Sequence, residues 1–301
     1  MAVNLAAKYS NKVDERFYEA SHIGPALNND YKFSGVQTVV VYSIPTVDLN
    51  NYDRTGTGTN TAFHRYGVPS NLQNEKQELT ITRDRSFSYT IDKADKLQTQ
   101  MVMDAGKSLS RELREKVIPE YDKYCLHALA KAAQAVSQTD ATAITKDNAY
   151  EMFLTAQETL SDESVPEVGR VCFCSHRFAN LLCKEDNGFI RSGDLSQRRL
   201  ISGEIGTVDG VRIIKIPKTW MPKKTTTGSG ATTTYGDFIL THPTAATAPK
   251  QIEDYRIHDN PPGISGWLVE GRVLYDCFVL NNKRKAIFFH GPASLGNWSD
   301  S

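Results

Sequence analysis

The chain has 301 residues, 40% of them hydrophobic, and its 35 lysines and arginines balance 35 aspartates and glutamates for a net charge of +0. That length supports one elaborate domain or two modest ones, and the even balance lacks the basic footprint of a nucleic-acid binder, so any contact with DNA is expected to be weak and non-specific. No stretch reaches the roughly 18 apolar residues of a membrane helix, charge begins too early for a signal peptide, and five irregularly spaced cysteines are no secreted disulfide framework, so a cytoplasmic chain with reduced thiols and no membrane partner is expected.

Residues 1–35 are polar, with one short amphipathic helix candidate near Lys12 to Ala20, and read as an arm. Val36 to Leu49, "VQTVVVYSIPTVDL", is predicted to be a strand. A second strand starts near Glu75, where Leu79, Ile81, Phe87, Tyr89 and Ile91 alternate with polar residues. Arg83 and Arg85 interrupt its apolar face, which is therefore expected to meet water or a partner midway. Each strand would run well past ten residues, roughly 45 Å at ~3.3 Å per residue, whereas compact domains use about five or six. The pair reads as a long two-stranded hairpin that needs something to lie on.

The connection between the strands, "TGTGTNTAFHRYG" at 55–67, is glycine-rich. A dinucleotide loop requires a third glycine where Thr61 stands, and a phosphate loop requires a lysine, of which there is none between Lys32 and Lys76. The segment is read as a hairpin tip, with Arg54, His64 and Arg65 as its charged residues.

A helix is expected from Asp92 or Asp95 to Ala133, with Asp95 as cap and a stripe at Leu97, Met101, Ala105, Leu109, Leu113, Val117 and Tyr121. Steps of four residues drift about 40° per step on a 3.6-residue helix, so different lengths must face different neighbours. Pro119 is expected to kink or divide it. Some forty residues would span roughly 60 Å, longer than the ~50 Å diameter of a compact chain of this size.

Residues 145–236 look more compact: a helix near Lys146 to Leu160 with Thr145 and Asp147 as candidate caps, the strand "GRVCFCS", the helix "SHRFANLLCKED", a turn at Asp209-Gly210 and a strand Val211 to Ile216. The low-complexity "KKTTTGSGATTTY" at 223–235 is expected to be mobile. Strands return in "DFILTHP" and "PKQIEDYRIHD", then, after a Pro-Pro-Gly turn at 261–263, in "GWLVEGRVLYDCFVLNNKRKAIFFH".

Little in the chain assembles chemistry. Cys172, Cys174, His176 and Cys183 are soft ligands close together, but the spacing is not a usual zinc pattern, and Cys172 and Cys174 suit one buried face of a strand. Ser175-His176 and Cys125-His127 are sequence neighbours, which seldom meet in triad geometry. Glu163/Glu167 and Glu253/Asp254 read as solvated charges. No catalytic residue, metal or cofactor is assigned.

The order of parts (arm, projecting hairpin, very long helix, compact mixed domain, returning strands) resembles the major capsid protein of tailed bacteriophages, the Hong Kong phage-type coat fold, over nearly the whole chain. "RVCFCSHRFANLL" looks like that family's axial-domain strand and helix, "GEIGTVDGVRIIKIPKTWMP" like its glycine-marked strand, and "THPTAATAPKQIEDYRI" with "GWLVEGRVLYDCFVLNNKRKAIFF" like its closing strands.

The resemblance implies an α+β fold with an N-terminal arm (1–35), an extended loop hairpin (36–94), a spine helix of the peripheral domain (95–144), an axial domain (145–247), peripheral-domain strands with an outer loop (248–272), and closing strands (273–301). It places Asp259, Asn260 and Pro261, with Pro262 and Gly263, at contacts between capsomers. It implies a structural, non-enzymatic protein that assembles with itself as hexamers and pentamers of an icosahedral shell, alongside a scaffolding protein and a portal, in the host cytoplasm and then in the virion. The loop lacks the lysine by which some relatives join subunits covalently, so noncovalent shells are expected. The start at the arm, without a charged helical leader, implies a separate scaffolding protein or a trimmed product. An encapsulin-type nanocompartment shell is the alternative within the fold. A thiol or zinc enzyme using the Cys172 to Cys183 cluster is the alternative outside it.

Overall fold

In a computed structural model of the chain, residues 21–28, 30–31, 38–44, 46–54, 65–66, 69, 71, 74–98, 104–182, 204–226, 232–296 and 298 are described. The helix expected near Lys12 to Ala20, His64 with most of the glycine-rich tip, and Cys183 lie outside them. The elements in chain order are β1 (Thr38–Ser43), β2 (Glu75–Thr80), β3 (Arg83–Asp92), α1 (Lys93–Gln98), α2 (Ala105–Glu112), α3 (Ile118–Ala135), β4 (Thr139–Asp140), α4 (Ala149–Asp162), β5 (Val171–Ser175), α5 (His176–Leu182), β6 (Glu204–Val208), β7 (Val211–Ile216), β8 (Lys223–Thr225), β9 (Thr233–Tyr235), β10 (Phe238–Thr241), β11 (Ala246–Thr247), β12 (Lys250–Asp259), β13 (Gly266–Tyr275), β14 (Phe278–Val279) and β15 (Ile287–His290). The chain divides into two compact units, Phe33–Ile81 and the remainder.

Among its described residues the smaller unit holds one antiparallel pair, β1 with β2, in which Thr38 faces Thr80 and Ser43 faces Glu75. The expected long hairpin is thus much shorter in its paired part. What reads as one second strand is two: it breaks at Ile81-Thr82, and β3 pairs with β13 instead. Periodicity alone does not show the break, because the alternation continues through it.

The larger unit is built on a mixed six-stranded sheet in the order β4-β15-β10-β5-β7-β6. Both faces are covered, which is why β5, β10 and β15 are buried at every position. Val171, Phe173, Ile239, Ile287 and Phe289 point to the α3 side, in a core with Leu126, Leu129 and Ala133. Cys172, Cys174, Phe238, Leu240 and Phe288 point to the other side, against Phe153, Leu160 and Phe178 of α4 and α5. Burying each large side chain contributes roughly 1.5–3 kcal/mol. Asp209 (φ 49°) and Gly210 (φ 76°) turn β6 into β7, as expected for a two-residue hairpin with positive φ at both positions.

A second sheet, β12-β13-β3, is antiparallel throughout. Its backbones approach so closely at Gly266 that an added Cβ would collide with the Ile91 carbonyl oxygen. Ile91 and Val269 of this sheet pack against Ala105 and Leu109 of α2. Val117 and Tyr121 belong to the large core beside α3, so the expected drift of the stripe onto different neighbours is observed.

The single rod expected from Asp95 to Ala133 is not. Asp104 is extended (φ −98°, ψ 129°), and its carboxylate accepts from the backbone N–H of Gly106 and Lys107, starting α2 afresh. Asp95 lies inside α1. Leu113–Val117 form a π-helical segment directly before Pro119. Proline has no N–H for a carbonyl one turn back, and the widened turn absorbs that loss. At α4 the cap position is Asn148, not Thr145 or Asp147, and its side chain accepts from the Thr145 N–H. The flanks of the low-complexity segment are ordered as the β8-β9 ladder, with Thr226 bonded to Thr232 across its open end.

Arg170, 1% exposed, closes α4. Its guanidinium donates to the carbonyls of Pro166 (3.0 Å), Gln157 (3.2 Å) and Val165 (2.7 Å) and to Ser161 Oγ (3.0 Å). A cation beside carbonyls at a helix C-terminus is favourable on both counts. Arg170→Met is expected to lower unfolding stability by about 2–4 kcal/mol, since it strands buried carbonyls; urea denaturation followed by circular dichroism measures it, and a loss below about 1 kcal/mol contradicts this role.

Candidate assembly surfaces

Among the described residues, seven of the ten exposed large hydrophobic side chains lie in the smaller unit: Val40, Tyr42, Ile44, Val47, Leu49, Tyr52 and Tyr66. Leu49 is fully exposed. So many large apolar side chains left in water on one short unit are candidates for a surface that is covered. Alternation in β1 sends Thr38, Val40 and Tyr42 to the more exposed face and Val39 and Val41 to the other. Arg54 and Arg65 are exposed nearby, where the Asp53 N–H donates to the Arg65 carbonyl (3.0 Å) and Tyr52 meets Tyr66 edge-on.

Arg83 and Arg85, expected at a wet or partner-facing break in the strand, make a contact within the chain, and Arg85 is also exposed. Arg83 Nη2 lies 3.3 Å and Arg85 Nε 2.8 Å from Glu120 Oε1 of α3, and Arg83 stacks over the Tyr124 ring at 5.0 Å. The Tyr275 hydroxyl donates to the same carboxylate (3.1 Å). Burial and the Glu120 charge push the Tyr275 phenol above its usual range. The other face of this sheet carries exposed opposite charges: Arg272 is bidentate on Asp84, and the hydrogen bond holds that carboxyl below its ordinary value. Arg256 meets Asp254 at 2.7 Å, and His258 lies 3.3 Å from Glu270. Exposed pairs of this kind contribute little stability.

Asp259, Asn260 and Pro261 begin the β12-β13 turn. Asn260 takes φ 47° and Gly263 φ 84°, and the Asn260 N–H donates to the Gly266 carbonyl (2.8 Å). Asp259 and Asn260 are exposed, which leaves this turn as a projecting edge.

Two buried acids escape a reading of the sequence alone. Asp276, 4% exposed, accepts four hydrogen bonds: from the Thr82 N–H and hydroxyl (both 2.9 Å), the Tyr124 hydroxyl (2.7 Å) and the Cys277 N–H (2.8 Å). Burial, and donation to this carboxylate, raise the Tyr124 pKa. Asp122, 1% exposed, receives the Ser21 hydroxyl (2.7 Å) and the His22 N–H (2.8 Å), clasping these two arm residues to α3. Burial raises its carboxyl pKa and these two donors oppose the rise. The signal for Asp276 is present in "VLYDCFVL", a lone acid in an apolar run; Asp122, among the charges of a helix, gives none.

A groove of about 960 Å³ lies beside α3, with Lys116, Lys123, Lys223, Trp220 and Trp298 among its walls. Burial, then the charges of Lys223 and Lys116, lower the Lys123 pKa. Of the soft ligands, Cys172 and Cys174 are core and His176 is exposed at the start of α5, while Ser175 Oγ accepts from the Phe178 N–H. Among the described residues no three histidines, cysteines or acids form a group able to hold a metal, and no helix is long and apolar enough to cross a membrane.

No family model and no curated protein matches the chain. Solved structures do. A chain from Mycobacterium phage Che8 superposes with a TM-score of 0.70 at 17% identity, covering 96% of this chain and 98% of that one. The asymmetric unit of the bacteriophage PhiM1 mature capsid gives 0.68 at 15% identity, covering 95% and 91%. The capsid of Ralstonia phage GP4 gives 0.63 at 9% identity, covering 99% and 98%. The chain has the Hong Kong phage-type capsid fold. Within this capsid fold the Asp276 node joins β3, α3 and the segment after β13, so Asp276→Ala strands four donors and is expected to cost about 3–5 kcal/mol. Chemical denaturation of the unassembled chain measures it, and a loss under about 1 kcal/mol counts against the node.

Proposed function

We propose that this chain is the major capsid protein of a tailed double-stranded DNA phage, many copies of which close into an icosahedral shell around the genome. The observation that carries the reading is the exposed apolar strip of the smaller unit, in a chain whose fold matches phage capsid chains along nearly its full length. The strip is expensive to leave in water and a neighbouring copy is its natural cover, at roughly 1.5–3 kcal/mol for each large side chain buried. In this reading residues 36–94 form the extended loop laid over the next subunit, 95–144 with 248–272 the peripheral domain, and 145–247 the axial domain. Asp259, Asn260 and Pro261 meet the next capsomer, and Arg54, His64 and Arg65 grip the covered neighbour. A scaffolding protein and a portal share the assembly in the host cytoplasm, and DNA meets the inner wall without sequence preference. The protein acts by geometry and carries no catalysis.

Electron microscopy of the purified protein is expected to show closed shells; small soluble oligomers at every concentration would refute the reading. Leu49→Asp with Tyr42→Asp, and separately Arg54→Glu with Arg65→Glu, are expected to abolish sedimenting shells while leaving the circular dichroism of the unassembled chain unchanged. Normal shells from both variants would remove the smaller unit from the interface. Denaturing gels of mature particles are expected to show monomer alone, because the loop carries no lysine between Lys32 and Lys76; a ladder of covalent multimers would overturn the noncovalent assignment.

A further inference from the structure

Cys125 on α3 and Cys277 after β13 are far apart in sequence and adjacent in space. Cys277 Sγ lies 4.0 Å from the Cys125 carbonyl oxygen. Both are free and buried, at 0% and 8% exposure, in the core that also holds Tyr121, Leu129 and Tyr275. One carboxylate fixes both ends: Asp276 accepts from the Cys277 N–H and from the hydroxyl of Tyr124, the residue before Cys125. Neither thiol is needed as a polar partner to hold this contact, and a pair of valines or alanines would fill the same core. The other described cysteines, Cys172 and Cys174, sit on one strand in a separate core and offer no such cross-connection.

We propose that Cys125 and Cys277 are a dithiol that closes to an intrachain disulfide in an oxidising medium, a covalent staple between α3 and the segment leading to β14. The oxidant is a small-molecule disulfide. The Cys277 thiolate attacks one of its sulfurs and expels one thiolate, and the Cys125 thiolate then attacks Cys277 Sγ and expels the second. The protein loses two protons and two electrons, and the small disulfide is reduced to two thiols. With Cys277 Sγ already against the Cys125 backbone, bonding distance is to be reached by side-chain rotation with little backbone movement. Burial holds the Cys125 thiol well above its usual pKa, so its thiolate is scarce and closure is slow. A chain made in a reducing cytoplasm therefore stays open, and closes on prolonged exposure to an oxidising exterior. The staple belongs to the chain whether or not the chain builds a shell, and it links no two subunits.

The test incubates the purified full-length chain with oxidised glutathione, blocks remaining thiols by alkylation under denaturing conditions, and reads the intact mass and the peptide map. The expected result is two cysteines protected from alkylation, a Cys125 peptide joined to a Cys277 peptide, and a thermal midpoint raised by roughly 5–15 °C over the reduced chain. Cys277→Ala is expected to lose the link and the shift, while Cys172→Ala keeps both. Full alkylation at Cys125 and Cys277 after days of exposure, a persistent glutathione adduct on Cys277 alone, or a link to another cysteine overturns the proposal. Because the wild-type mass decides, a variant that fails to fold leaves the test intact.

Discussion

One buried carboxylate organises the larger unit. Asp276 takes four donors from three places in the chain: Thr82, where the chain leaves the smaller unit, Tyr124 on α3, and its own neighbour Cys277. An acid this deep is tolerated only when its lone pairs are filled, and filling them dictates where each of those segments must sit. Glu120, one turn earlier on α3 than Tyr124, repeats the device with Arg83, Arg85 and Tyr275. The β12-β13-β3 sheet is therefore joined to the helix by two adjacent polar nodes, while apolar burial holds the six-stranded sheet.

The division of labour between the two units follows from where apolar surface is spent. The six-stranded sheet is covered on both faces by the chain's own helices, and among the described residues of the larger unit only Leu154, Val168 and Ile257 are exposed large hydrophobics. The smaller unit has a two-stranded ladder and a row of uncovered aliphatic and aromatic side chains. A ladder of two strands is marginal alone. In the capsid reading, a second copy supplies what the unit lacks, and folding and assembly share one free-energy source.

Much of this was legible from residue order. Strand β5 and helix α5, the Asp209-Gly210 turn, the Pro-Pro-Gly turn and the i, i+4 stripe each rest on local chemistry, and each lies where that chemistry puts it. The misses are long-range or compensatory. The break at Ile81-Thr82 depends on Asp276, some 190 residues away; the engagement of Arg83 and Arg85 depends on Glu120; and the interruption at Asp104 depends on its own carboxylate outcompeting helix continuation. A pattern of apolar and polar residues carries no record of which acid a given arginine will meet.

The π-helical segment at Leu113–Val117 has a consequence for phase. Ala105, Leu109, Val117, Tyr121, Cys125, Leu129 and Ala133 recur at multiples of four and all pack inward. A regular α-helix would carry such a series about 40° further round at each step, and before Ala133 it would emerge into water. A wider turn uses more than four residues, so across it the four-residue step falls short of a full circle instead of overshooting. The segment acts as a vernier between sequence and geometry, resetting the angle at which α3 presents its side chains to the sheet.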